Sequence, residues 1–267
     1  MSFKHLVTSG CSFSDNTESH WPHYLSKKLN LELHNRGMSS AGNSWICKST
    51  IYQIQQLLES GITPEEILVV VMWSDIGRQD MFIDSNNPFN VYKDLLNKDG
   101  DPNPVNFIDN SPNIVCRQSS VKEDGYLLGG LYAPFTNHNI INFKKDIWKY
   151  FPSQSMAIQS YENFLRLQWL CEANGIALVN LTMIDIMHYP SEERRGMLTK
   201  DYFRNVDHLY KMVNLNKWIF WDSTKGLYEY TRDNDLTFNS DGEHPSTESH
   251  EHYVNNFLVE KLRQLIY

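Results

Sequence analysis

The chain has 267 residues, 41% of them hydrophobic and 13% aromatic, which supports a sizeable core and excludes a disordered polymer. A formal net charge of −8 and a pI near 5.7 exclude nucleic acid as a main partner, because phosphate binding needs a basic surface. The four cysteines are widely spaced with no C-x-x-C pair, no apolar run reaches the ~18 residues of a membrane span, and residues 1–10 lack the basic and apolar regions of a signal peptide. The expectation is therefore a cytoplasmic protein with reduced thiols and no membrane contact.

In chain order, "HLVTSG" reads as a buried strand closed by Gly10. "WPHYLSKKLN" carries helical spacing at Trp21, Leu25 and Leu29, with Pro22 acceptable in a first turn. "LELHNRG" is a second strand. "NSWICKSTIYQIQQLLESG" is a helix with Ile46, Ile51, Ile54, Leu57 and Leu58 on one side and Gly61 as its stop. "EEILVVVMW" is the clearest strand, and its unbroken apolar run suits a central position covered on both faces.

From Asp84 to Phe151 the periodicity dissolves among prolines and asparagines, which marks an irregular insertion, a lid or an interface. Order returns with the helix "SQSMAIQSYENFLRLQWLCEANG", the strand "IALVNLTM", a fifth strand "KWIFWD" and a closing helix from "STESHEH" onward, N-capped by Ser246. This succession predicts one domain over 1–267, interrupted at 84–151. Its class is α/β, a three-layer α/β/α sandwich with a flavodoxin-like five-stranded parallel sheet.

In open parallel sheets, ligands bind beyond the carboxyl ends of the strands. Ser12 follows the first strand, Gly42, Asn43 and Ser44 follow the second, and Ser74 and Asp75 follow the central one. A serine nucleophile needs a histidine base, and the base needs a carboxylate to fix its tautomer. Asp241 and His244, three residues apart in "DGEHP" before the last helix, are the strongest such pair.

These segments resemble the blocks of the SGNH (GDSL-type) hydrolases. "SGCSFSD" resembles the first block with Ser12 as nucleophile, although Cys11 stands where that family has Asp. "RGMSSAGNS" resembles the second, with the Gly42 N–H in the oxyanion hole, and "DGEHP" matches the D-x-x-H block. The third block, G-x-N-D in the family, corresponds here to "MWSD", which puts Ser74 where an Asn amide is expected. The resemblance covers residues 1–82 and 156–267. It implies a serine esterase with Ser12, Asp241 and His244 in catalysis and with Ser12, Gly42 and Ser74 around the oxyanion. Asn43, Trp73, Asp75 and Arg78 would then line the substrate site. The implied substrate is a small ester or a carbohydrate O-acyl group, with no cofactor.

Each residue also has an ordinary reading. Ser12 can cap a helix, Asp241-Gly242 can form a turn, and Gly42 can open a helix. Ser74 and Asp75 can end a strand, Trp73 can be core, and Arg78 can pair with Asp75. The histidines His244, His250 and His252, with Glu243 and Glu251, match no zinc spacing, so no metal is expected there. His20 and His23 read as packing or surface residues. A non-catalytic binding module on the same fold, or an acyltransferase, remains the alternative function, and a homo-oligomer is left open.

Overall fold

The computed structural model describes residues 3–15, 18–78, 80–83, 106–109, 116–118, 125–127, 153–187 and 207–266. Its strands are β1 (His5–Ser9), β2 (Glu32–Asn35), β3 (Ile67–Trp73), β4 (Met81–Ile83), β5 (Asn106–Asp109), β6 (Cys116–Gln118), β7 (Gly125–Leu127) and β8 (Ala177–Thr182). The principal sheet is parallel throughout, in the order β2-β1-β3-β8. Every residue of β1 and β3 is buried, as the unbroken apolar run of β3 requires, whereas the edge strand β2 is mostly part-exposed.

Helices α1 (Trp21–Leu29), α2 (Asn43–Glu59) and α3 (Ser153–Asn174) connect these strands. The chain steps one way from β1 to β2, then reverses to reach β3 and β8. With right-handed crossovers, that reversal places α1 on one face and α2 and α3 together on the other. The packing agrees: α2 lies against α3, while α1 packs on β2 and on the helix α5 (Thr247–Tyr253). Helix α4 (Leu227–Asp233) precedes α5, which continues through one π-helical stretch into α6 (Val259–Ile266). Ser246 caps α5 as expected, its hydroxyl accepting from the Ser249 N–H.

Four features depart from the sequence reading. The fifth strand is reduced to a single parallel bridge between Trp218 and Asn180, secured by Ile219 N–H donating to Asn180 O at 2.9 Å. Among the described residues the parallel sheet therefore has four strands. On α2, Ile46, Ile54 and Leu57 are buried but Ile51 and Leu58 only partly so. The third departure is a second, antiparallel sheet, β4-β7-β5-β6, part of which lies in the stretch read as irregular. Strands of three or four residues are too short to show a period-two pattern. The expected roles of 84–151 as lid or interface otherwise fall outside the described residues.

The last departure is at Ser12, which does not begin a helix. It sits in a tight turn in which Ser14 N–H donates to Cys11 O, and α1 starts only at Trp21. Ser14 folds back beneath the turn and accepts from Trp21 Nε1 at 2.8 Å. A Cβ at Gly10 would lie 2.6 Å from Ser14 Cβ, so this fold-back needs a glycine. Cys11, Cys47 and Cys171 are buried free thiols, and burial pushes Cys47 up to about 11 and Cys171 to about 12. Both stay protonated and unreactive. Among the described residues, no helix is long and apolar enough to cross a membrane.

Candidate active site

The strand order reverses at β1, so the carboxyl ends of β1 and β3 form the topological switch point where this architecture opens a crevice. Ser12 projects from the loop after β1. Asn35, the last residue of β2, clamps that loop: its Nδ2 donates to Ser14 O (3.0 Å) and Asp15 O (3.1 Å). Its Oδ1 accepts from Thr8 Oγ1 (2.9 Å) and Gly37 N–H (2.9 Å).

His244 arrives from the far end of the chain on a turn. Asp241 Oδ1 accepts the N–H groups of Glu243 (2.8 Å) and His244 (2.9 Å), and Gly242 takes the left-handed conformation at φ +69°. The same carboxylate then reaches the imidazole through Oδ2, 2.7 Å from His244 Nδ1. This explains the D-x-x-H spacing: one aspartate both shapes the turn and holds the ring. The two backbone N–H groups, more than the imidazole, hold the Asp241 carboxyl down at about 2.

An ionised carboxylate only accepts, so His244 Nδ1 carries the proton and Nε2 is left as acceptor. Ser12 Oγ lies 2.8 Å from that Nε2, across 232 residues of sequence. The Phe13 ring packs on the imidazole at 5.3 Å between centroids and restricts its rotation. Ser12, His244 and Asp241 thus form one hydrogen-bonded chain in which Ser12 and His244 are part-exposed and Asp241 is exposed.

The other expected site residues are arranged differently. The Gly42 N–H donates to Asp80 Oδ1 at 2.8 Å, and Asp80 Oδ2 accepts the Trp45 N–H at 2.7 Å. Asp80 therefore caps α2, whose first turn has no acid of its own, and the Gly42 amide is not an open oxyanion donor. Asn43 Nδ2 donates to Ser74 O (3.2 Å) and Ser160 Oγ (3.0 Å), while its Oδ1 accepts the Ser74 N–H (2.9 Å). Ser74 is fully buried, and its hydroxyl faces Met183 Sδ at 3.5 Å, the same sulfur that Cys11 approaches at 3.2 Å. Asn43 and Ser74 are a structural clasp rather than ligand-facing groups.

Trp73 is core: its Nε1 donates to Asn180 Oδ1, and its ring lies 4.6 Å from that of Phe164. Asp75 closes a turn by accepting the Gly77 N–H at 2.8 Å. The expected Arg78–Asp75 ion pair does not form, and Arg78 Nη1 is buried without a partner among the described residues. Of the oxyanion donors expected, the Ser12 N–H alone makes no hydrogen bond among the described residues.

His250 was legible only as a helix residue, yet it is 1% exposed beside His20, with ring centroids 4.7 Å apart. Neither of its nitrogens has a hydrogen-bond partner among the described residues, and burial, with His20 and His244 nearby, holds it well below the usual histidine range. His252 instead pairs with Tyr230 Oη at 2.8 Å, so the two histidines of α5 do not converge. Among the described residues no set of three metal-ligating side chains gathers at Ser12.

A family model described as "Family of unknown function (DUF6071)" matches residues 8–122, a span that includes Ser12 and Gly42 but not His244. No curated protein matches the chain. Among solved structures, the chain is similar to TesA, with a TM-score of 0.44 and 13% identity over 98% of this chain and 100% of that one. It is also similar to the psychrotrophic esterase EstA from Pseudoalteromonas sp., in a structure inhibited by monoethylphosphonate. There the TM-score is 0.45 and the identity 12%, over 98% of this chain and 97% of that one.

Proposed function

We propose that the chain is a serine hydrolase of carboxylic esters, acting on a small ester or a carbohydrate O-acyl group, as its resemblance to the SGNH hydrolases implies. The observation that carries this reading is the Ser12–His244–Asp241 chain, with 2.8 Å and 2.7 Å links and the imidazole tautomer dictated by the carboxylate.

In the reaction, Ser12 Oγ attacks the carbonyl carbon while its proton passes to His244 Nε2. The new Oγ–C bond forms as the carbonyl becomes an oxyanion, with the Ser12 N–H as the donor left available to it. Collapse breaks the bond to the alkoxide, which leaves as an alcohol with the proton from Nε2. Water then enters by the reverse sequence, giving up a proton to His244, and releases the acid and Ser12. Asp241 stays ionised and stabilises the imidazolium at both steps.

Ser12→Ala is expected to lower turnover of a short-chain p-nitrophenyl ester by about 10⁶-fold. Equal turnover by the variant would overturn the proposal. A non-catalytic binding module is the second reading, favoured by the engagement of the Gly42 amide with Asp80 and of Asn43 with Ser74. It requires that a fluorophosphonate probe fail to label Ser12 in the folded chain.

A further inference from the structure

At the opposite end of β1 from Ser12, about 13 Å of strand away, a second set of functional side chains converges. His5 pairs in register with Glu32, and Val7 with His34, so His5, Glu32 and His34 share one face of the sheet. His5 Nδ1 and His34 Nε2 are 3.1 Å apart. Glu32 Oε2 lies 3.3 Å from His5 Nδ1, and Glu32 Oε1 lies 3.6 Å from His34 Nε2. One ligand atom from each of the three lies within 4.8 Å of the others.

We propose that His5, His34 and Glu32 form a binding site for a divalent first-row metal ion of the zinc class.

The two Glu32 contacts are long for direct pairing, whereas the two ring nitrogens, 3.1 Å apart, are within hydrogen-bond reach of each other until an ion separates them. A charge-assisted imidazole–carboxylate hydrogen bond is about 2.7–2.9 Å long, and both Glu32 contacts exceed that. Donors bound at about 2.0–2.1 Å in a tetrahedron lie about 3.3 Å from one another, and the three separations bracket that value. Two imidazoles and one carboxylate suit zinc rather than calcium or magnesium, which prefer oxygen donors. The neighbouring cations are engaged elsewhere and do not compete for Glu32. Lys4 pairs with Glu66, and Arg36 donates to Gln53 (2.8 Å) and Gln56 (3.2 Å). The two imidazole side chains are 11% and 17% exposed and Glu32 65%, so the carboxylate lies on the solvent side of the cluster, where water would complete the coordination of a bound ion.

The test is a zinc titration of the metal-free chain, carrying no polyhistidine tag, followed by calorimetry. One zinc per chain is expected, with a Tm rise of about 5 °C or more at a hundredfold excess over Kd. Glu32→Gln, an exposed change that leaves the fold intact, should weaken binding about tenfold and His34→Asn about a hundredfold. Cobalt in place of zinc should give the visible absorption of a four-coordinate site, retained in Ser12→Ala and lost in His34→Asn. A flat titration of the wild-type chain, or wild-type zinc affinity in either Glu32→Gln or His34→Asn, would overturn the proposal.

Discussion

At the carboxyl ends of β1 and β3, two groups of residues that the same sequence motifs bring together are used in opposite ways. Ser12, His244 and Asp241 turn their polar atoms toward one another at the surface. Gly42, Asn43 and Ser74 turn theirs into the protein, toward Asp80, Ser160 and Met183. The first group is held by its neighbours and left able to exchange a proton. The second spends its donors on capping a helix and joining α2 to β3. Motif position alone does not separate a reactive group from a structural one. What separates them is whether the donor already has a partner.

The largest test of this contrast, after removal of Ser12 itself, is Asp241→Asn. It should lower ester turnover by about 10⁴-fold, because an amide cannot enforce the Nδ1–H tautomer. Steady-state kinetics with the p-nitrophenyl ester would check it, and a loss of less than tenfold would make the aspartate a turn residue only. On the structural side, Asn43→Ala leaves the buried Ser74 N–H without an acceptor. It should cost about 1–3 kcal/mol in urea unfolding with little change in turnover. If turnover collapsed while stability held, the clasp would belong to the reactive group.

His250 sharpens the contrast through pH. Its folded pKa lies below the ordinary 6.5, so below that pH the unfolded chain takes up a proton the folded chain refuses. Its contribution to stability is present at neutral pH and lost as pH falls below 6.5, with a limiting slope of about 1.4 kcal/mol per pH unit. His250→Leu should flatten the pH dependence of the urea midpoint between pH 6.5 and 5, and an unchanged slope would count against a neutral buried ring. The smallest effect is expected at Asp80. Asp80→Ala removes the cap of α2 and should cost about 1 kcal/mol in thermal unfolding, with turnover unchanged. A rise in turnover would show that the freed Gly42 amide joins the reaction.

The sequence made the central strands legible because Ile67–Trp73 is apolar at every position, which only a doubly covered strand needs. It made the His244 turn legible because D-x-x-H is local: one carboxylate serves residues two and three positions on. The engagement of Gly42 was not legible. Its partner, Asp80, lies 38 residues away in a segment without periodicity, and a helix start with no nearby acid gives no sign of where its cap comes from. The clamp by Asn35 was hidden for the same reason, since a polar residue at a strand end looks like any turn residue. For Trp73 the sequence left core and substrate site both open, because its direction depends on β8 supplying Asn180 as an acceptor.

Asn35 also ties the accuracy of the nucleophile to the weakest strand of the sheet. β2 is four residues long, part-exposed and paired on one side only, so it belongs to the part of the sheet that opens most readily. When β2 detaches, Asn35 leaves with it, and the carbonyls of Ser14 and Asp15 lose both hydrogen bonds from its Nδ2 at once. Local opening of an edge strand therefore disengages the Ser12 loop without unfolding the core. The proposed metal ligands Glu32 and His34 sit on the same four residues, so an ion bound there would slow that opening from the opposite end.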